Sequence, residues 1–235
     1  MNTLLKIFYN PKSAFQDLKN AEKFPWMSLL LLLIIVIINN ILMIPVSTKV
    51  VELTFTSMQI PISDAQLETS MQLVYKLRYL QVAGSVFTYM FMLTIYTLIV
   101  WILTKIAKQS ISFQKAFELI IHCCFVIAIG GLVNTFILYY QGIENIQNMY
   151  EISLTGLNLL TSTASVGAPF YTFLSLINPF YIWFLVLLTL GLAVLTEAKF
   201  IKALAISLIF WIMIIAFPVI VIYFTQLFMQ RKGLF

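Results

Sequence analysis

The residues of this sequence with the clearest capacity for acid-base or ligand chemistry are Glu118 and His122. His122 is the only histidine in the chain, so any histidine-based dyad or metal site must use it. Side chains four residues apart lie on the same face of a helix. A carboxylate and an imidazole on one face of a membrane helix could bind a cation or relay a proton. We interpret the pair first as structural, because both residues lie in the first turns of a predicted span, where they would meet headgroup water.

Asparagines are the other polar side chains within the predicted spans. Asn39 and Asn40 lie in the first span, Asn134 lies in the third, and Asn178 begins the fourth. An amide without a hydrogen-bond partner is costly in hydrocarbon, so each is expected to bond a neighbouring helix. Such bonds contribute about 1 kcal/mol each. We interpret these residues as intramembrane polar packing.

Motifs that accompany catalysis or cofactor binding are missing from the sequence. It contains no glycine-rich phosphate loop, no Cys/His metal spacing and no GxSxG motif. Cys123 and Cys124 are adjacent, so on a helix they would point apart and remain free thiols. We therefore predict a non-enzymatic protein with no catalytic residue, no cofactor and no metal site.

The composition indicates a membrane protein. Hydrophobic residues make up 61% of the chain and charged residues 10%, whereas about a quarter of the residues of a soluble domain are charged. A helix needs about 20 apolar residues to cross a bilayer. Five segments meet this length: residues 24–44, 82–103, 119–140, 177–195 and 203–228. The expected fold is all-α, a polytopic membrane protein with a bundle of five transmembrane helices in a single domain, residues 1–235.

Residues 1–23 are predicted to form an amphipathic helix that lies in the bilayer interface. Asn10 is a favourable N-cap, and Pro11 suits the first helical position. Basic and aromatic residues at such positions anchor a chain to headgroups. The expected interfacial anchors are Lys12, Phe15, Trp26, Trp183 and Lys202.

Two long connections separate the predicted spans. Residues 46–81 are expected to form an outer loop whose second half is an amphipathic helix leading into the second span. Residues 141–176 are expected to form the other outer loop. Its last apolar stretch, from Val166 to Ile177, is too short to cross and suits a re-entrant or interfacial segment.

The basic residues favour one orientation. With the N-terminus inside, nine of the 14 Lys and Arg residues flank the inner side of the predicted spans. This distribution predicts a cytoplasmic N-terminus and a C-terminus outside. Because the basic residues are spread along membrane margins rather than collected in a groove, we predict no nucleic-acid partner.

Three motifs are shared with a known family. Residues 178–183 read NPFYIW and are followed by an apolar run with Gly191, then Lys202-Ala203 and Trp211. Residues 10–15 read NPKSAF before Pro25-Trp26, and residues 112–117 read SFQKAF before the third span. In this order and spacing, over nearly the whole chain, the motifs resemble the Yip1 domain family, particularly its prokaryotic members.

The resemblance implies five membrane helices and a non-enzymatic role. Eukaryotic members carry a soluble N-terminal region and are tied to Rab-type GTPases. This chain begins 23 residues before its first predicted span, so the Rab role is not transferred. Prokaryotic relatives look like accessory membrane proteins, some of them associated with ABC-type exporters.

Two functions compete on these grounds. The first is an integral membrane accessory protein, in a prokaryotic inner or plasma membrane, that binds another membrane complex and supports its assembly. An ABC-type exporter is one such complex. The expected partners of this chain are the lipid bilayer and a membrane protein, with a homo-oligomer as an alternative. The second is a small transporter or channel that uses the intramembrane polar residues.

Overall fold

The computed structural model describes residues 2–57, 64–146 and 152–231. In these residues we observe helices and turns and no strand. The helices are α1 (Asn2–Tyr9), α2 (Pro11–Asn20), α3 (Trp26–Leu42), α4 (Ile44–Ser57), α5 (Asp64–Ile106), α6 (Phe113–Gln141), α7 (Thr163–Val166), α8 (Ala168–Ser175), α9 (Pro179–Thr196) and α10 (Phe200–Arg231), with short 3-10 turns at Ile143–Asn145 and Leu157–Leu160.

Four of the described helices contain a segment long and apolar enough to cross a membrane. These segments are Glu68–Ile106, Phe113–Gln141, Pro179–Thr196 and Phe200–Thr225. A fifth crossing is possible if α3 and α4 count as one broken span, since the pair passes the same test with a bend of 49°. The prediction of an all-α polytopic membrane protein is confirmed.

The bend between α3 and α4 follows from Pro45. Proline has no backbone N–H, and its ring clashes with the preceding turn of a helix, so it fits best near a helix start and elsewhere kinks or breaks the helix. Pro45 is the second residue of α4, and the break falls just before it, at Met43. The first predicted span, residues 24–44, therefore corresponds to α3 and the break that follows.

The structure differs from the predicted boundaries at both ends of the first long connection. Residues 46–81 were expected to be an outer connection with an amphipathic helix in its second half; the structure has that helix as the first part of α5 and makes the first half helical too, as α4. Residues 58–63 lie outside the described part. No glycine or proline interrupts residues 64–83. The predicted amphipathic helix therefore continues into the second span as one helix.

The N-terminal segment contains two helices where one was predicted over residues 1–23. The break lies at Asn10, whose side-chain oxygen accepts a hydrogen bond from the Ser13 backbone N–H at 3.2 Å. Pro11 follows as the first residue of α2. The N-cap was anticipated, but such a cap ends whatever precedes it, and so it separates α1 from α2.

The second long connection, residues 141–176, is built from short elements in its described part. Within the stretch predicted to be re-entrant or interfacial, α8 has eight residues. A helix of this length spans about 12 Å, which is too short to cross hydrocarbon. Residues 147–151 lie outside the described part.

The chain divides into two compact units. The first unit comprises Met1–Val36, Val86–Gly130 and Pro179–Ile214, and the second comprises Ile37–Ser85, Gly131–Asn178 and Ile215–Phe235. Helices α3, α5, α6 and α10 each contribute residues to both units.

The first unit contains the larger core, and α2 belongs to it. One face of α2 buries Ala14, Phe15 and Leu18, which follow the helical three-to-four-residue period. Phe15 was expected to anchor in lipid, but it is fully buried in the protein. The difference arises because Gly191 of α9 has no side chain, so the Phe15 ring can approach the α9 backbone there.

The core of the second unit is smaller. It consists of the buried residues Val46, Leu138 and Ile146, with Met43 and Leu53 packed against them. Here α4 contacts the 3-10 turn Ile143–Asn145.

We predict that a large side chain at Gly191 will destabilise the first unit. A Cβ atom at this position would lie 2.2 Å from Leu119 Cδ1 and 3.2 Å from Phe15 Cε1. Overpacking of this kind costs about 1–3 kcal/mol, so Gly191→Leu should lower the thermal unfolding temperature in detergent.

Gly84→Leu is the matched control, because a Cβ atom at Gly84 meets nothing within 4 Å. Replacing an unconstrained helical glycine stabilises a helix by up to about 1 kcal/mol. Equal unfolding temperatures for the two variants would contradict the packing described for Gly191.

Candidate functional site

A cluster of polar side chains lies at the beginning of α6. Gln114, Glu118 and His122 recur every four residues and so share one face of the helix. Ser112 precedes the helix, and its hydroxyl oxygen accepts a hydrogen bond from the Lys115 backbone N–H at 3.2 Å. This N-cap fixes the register of the first turn.

The Glu118 carboxylate is fully buried and fully engaged. Lys115 Nζ donates to its Oε2 at 2.8 Å, and Gln114 Nε2 donates to its Oε1 at 2.9 Å. An unpaired buried carboxylate would be very costly. With a cation on one oxygen and an amide on the other, the charge can remain inside the protein.

Lys115 also connects α6 to the end of α2. Its ammonium group donates to the backbone oxygens of Leu18, at 2.8 Å, and Ala21, at 2.6 Å. An ammonium group has three donors, and all three are used when Glu118 is included. The last carbonyls of a helix lack partners within it and carry partial negative charge. A lysine at this point therefore both satisfies them and holds α2 against α6.

His122 is almost completely buried, with 1% of its surface exposed. Its Nδ1 lies 2.7 Å from the backbone oxygen of Glu118. A carbonyl oxygen can only accept, so Nδ1 carries the proton, and in the neutral ring Nε2 presents a lone pair. Glu118 and His122 lie on one face as predicted, but the ring is bonded to the backbone of Glu118 and not to its carboxylate. A role for the pair in ion or proton chemistry stays a prediction.

The predicted intramembrane asparagines lie in the second unit and bond in different ways. Thr135 Oγ1 donates to Asn39 Oδ1 at 2.8 Å, which joins α6 to α3. Asn134 donates to Ile152 O and accepts from Leu154 N, both at 2.7 Å, so its partner is irregular backbone and not a helix. The remaining two are a half-buried Asn40 and a buried Asn178 that donates to Ser175 O at 3.1 Å.

The partners of these amides were not predictable from the sequence. The same Thr135 hydroxyl lies 3.0 Å from the Gly131 carbonyl oxygen of its own helix, which is an alternative acceptor for its single proton. Threonine commonly bonds within its own helix in this way, so its type alone does not indicate a link to another helix.

The predicted interfacial anchors other than Phe15 lie at or near the surface. Lys12, Trp26 and Lys202 are exposed, and Trp183 is half-buried against the core of the first unit.

An ion pair that the sequence did not reveal links α2 to the connection between α9 and α10. Lys19 donates to the Glu197 carboxylate. This hydrogen bond lowers the pKa of the exposed Glu197 carboxyl below its ordinary value. The two residues are 178 positions apart, and no local pattern could have paired them.

The described residues contain no group of three or more His, Cys, Asp or Glu side chains that could hold a metal ion. Cys123 and Cys124 are both free and buried, as their adjacency predicts.

Comparison with known proteins gives one match. A family model described as the Yip1 domain matches residues 5–222, which is nearly the whole chain. No curated protein and no solved structure matches the chain.

We predict that Lys115→Met will destabilise the first unit. The substitution leaves the Glu118 carboxylate buried without its cation and removes the lysine donor from the Leu18 and Ala21 carbonyls; the Leu18 carbonyl keeps only the Ala21 backbone N–H, at 3.3 Å. Breaking a buried ion pair from one side costs about 3 kcal/mol or more. Thermal unfolding in detergent should show the loss, and protease should cleave residues 21–25 more readily as α2 detaches.

The double variant Lys115→Met/Glu118→Leu should recover part of the lost stability, because no buried charge then lacks a partner. Lys12→Met removes an exposed lysine from α2 and is the control. If Lys115→Met and Lys12→Met unfold at the same temperature, the Lys115 contacts do not hold α2 in place.

Proposed function

The chain belongs to the Yip1 domain family, and from this premise we propose that it is an accessory protein that binds another membrane complex and supports its assembly. Members of the family are membrane proteins. The apolar helices agree, and the chain is a multi-pass membrane protein in contact with the lipid bilayer. The accessory role, the partner and a non-enzymatic character are our proposal.

The observation that carries the proposal is that the membrane-spanning helices are buried within the chain to very different extents. In its most apolar window α6 has 67% of its residues buried, whereas the windows of α5 and α10 have 17% and 22%. Helices in membranes associate through side-chain packing, without a hydrophobic drive between them. Two helices with this much uncovered surface offer room for the helices of a partner.

Exposed aromatic residues give α5 a specific surface for such a partner. Phe87 and Phe91 are four residues apart on one face, with 78% and 65% of their surfaces exposed. Aromatic residues are enriched in protein interfaces and among their strongest contributors to affinity. Lipid also tolerates them, so the partner must be tested directly.

The partner we propose is a membrane protein complex, with an ABC-type exporter as the leading class. This choice rests on the resemblance to prokaryotic relatives that are associated with such exporters. A prokaryotic inner or plasma membrane and a cytoplasmic N-terminus belong to the same proposal. The cytoplasmic position of the N-terminus is predicted from the distribution of Lys and Arg.

The state of the polar cluster supports a non-enzymatic role over catalysis or transport. A general base or a proton relay needs a carboxylate that is free to accept a proton. The Glu118 carboxylate instead accepts from Lys115 and Gln114. In this arrangement it stabilises the contact between α2 and α6.

We predict that the chain will be recovered from native membranes with a defined membrane complex. The experiment is reversible crosslinking at natural expression, purification in mild detergent and quantitative mass spectrometry of what co-purifies. Phe87→Ala/Phe91→Ala should reduce the recovered partner by roughly tenfold or more, since interface hot spots contribute about 2 kcal/mol each.

Phe136→Ala is the control, because Phe136 is also exposed, at 62%, and lies on α6. Repeated recovery of this chain alone, or as a clean homo-oligomer, would overturn the proposal. Equal loss of partner in the α5 double variant and the Phe136 control would remove α5 as the binding surface.

A further inference from the structure

A cavity of about 240 Å³ opens at the beginning of α3, within the first unit. Its walls are the end of α2, Ala21 and residues 23–25 of the connection, the first turn of α3, and His122 of α6. A water molecule occupies about 30 Å³ in the liquid, so the cavity has room for roughly eight. The cavity is smaller than most drug-sized pockets, so a ligand there would be a small polar group.

One side of the cavity carries hydrogen-bond donors and positive charge. Lys23 lines it, is exposed, and makes no ion pair with any described residue. Ser28 also lines it and is 7% exposed, and its hydroxyl can donate a hydrogen bond. Both lie beside the N-terminus of α3, a helix of 17 residues, whose dipole favours an anion.

The other side carries an acceptor. His122 lines the cavity, and its Nδ1 donates to the Glu118 backbone. In the neutral ring its Nε2 can only accept a hydrogen bond. An acceptor at the wall of the cavity suits a ligand that brings a hydroxyl or another donor.

The carboxylate that lines the cavity and two nearby backbone oxygens are already engaged. Asp17 lines the cavity but pairs with Lys6 at 2.6 Å. The backbone oxygens of Leu18 and Ala21 accept from Lys115. Among the lining groups, the charge left for a ligand is therefore the positive charge of Lys23, beside the positive end of the α3 dipole; Glu22, the neighbour of Lys23 in the chain, does not line the cavity.

An apolar surface continues from the mouth of the cavity. Trp26 and Met27 line the cavity and are largely exposed, and further exposed aliphatic residues follow them on α3: Leu30, Leu31 and Ile34. A headgroup in the cavity would place its acyl chains against this surface, as a soluble phosphate compound would not.

We propose that the cavity binds the headgroup of an anionic phospholipid, a phosphodiester whose alcohol carries a free hydroxyl, as in phosphatidylglycerol. The phosphodiester contacts Lys23, the Ser28 hydroxyl and the N-terminus of α3. The headgroup hydroxyl donates to His122 Nε2. The acyl chains lie along α3. This site does not depend on the accessory role proposed above.

The test uses the full chain in detergent and native mass spectrometry with three added lipids. Phosphatidylglycerol supplies the diester and the hydroxyl, phosphatidylmethanol supplies the diester alone, and phosphatidylcholine is neutral and has no donor. Wild-type protein should retain phosphatidylglycerol about fivefold better than phosphatidylmethanol, the equivalent of one hydrogen bond. It should retain phosphatidylcholine least.

Two variants test whether Lys23 and His122 contact the lipid headgroup. Lys23→Gln should weaken both anionic lipids about fivefold, whereas Lys12→Gln, an exposed lysine that does not line the cavity, should change neither. His122→Leu should abolish the preference for phosphatidylglycerol over phosphatidylmethanol. Should His122→Leu fail to fold, the Lys23 variant and the lipid comparison on wild-type protein still decide the question.

Three results would overturn the proposal. Equal retention of phosphatidylglycerol and phosphatidylmethanol by wild-type protein removes the role of His122. Equal effects of Lys23→Gln and Lys12→Gln show general charge attraction without a site. Binding of the deacylated headgroup, glycerophosphoglycerol, as tightly as the lipid shows that the cavity takes a soluble phosphodiester.

Discussion

The buried carboxylate of Glu118 imposes the constraint on which the first unit depends. A charge in this position requires a cation within hydrogen-bond distance, and Lys115 supplies it from one turn earlier on α6. The same ammonium group reaches the last carbonyls of α2. One lysine thus neutralises the interior of α6 and determines where the amphipathic helix α2 ends. Without Glu118, Lys115 could extend to headgroups and leave the end of α2 unbonded.

Close packing then explains why α2 is held along its length and not only at its end. Phe15 fits against α9 because Gly191 offers no side chain, and Lys19 pairs with Glu197 beyond the end of α9. The exposed ion pair contributes little by itself. The buried phenyl ring contributes about 2–3 kcal/mol of transfer free energy. The helix that its pattern assigned to the bilayer interface is therefore also a part of the protein core.

Sequence patterns were sufficient where the physics is local. Apolar runs of about 20 residues gave the membrane-spanning regions, and the Asn10-Pro11 start signal appears as a cap. Sequence patterns failed where contacts between distant segments determine the environment of a side chain. An aromatic residue on an amphipathic helix looks the same whether it meets lipid or a glycine on another helix, as Phe15 does. Asn134 required a partner, but nothing local indicated the backbone at Ile152 and Leu154. Pro45 explains a break at this place, yet the 49° bend depends on geometry that residue type does not specify.

The geometry of His122 changes what this residue can do. As the only histidine, spaced four residues from a glutamate, it suggested proton or cation chemistry. A proton relay through the pair would require the ring to face the Glu118 carboxylate, but the ring donates to the Glu118 backbone, and the carboxylate is bonded to Lys115 and Gln114. What remains is one acceptor nitrogen at the wall of a cavity whose other free groups are donors. Such a set of partners matches a ligand that is anionic at one atom and a hydrogen-bond donor at another. A cation would meet Lys23 and the positive end of α3 there, so the charges around the cavity select against it.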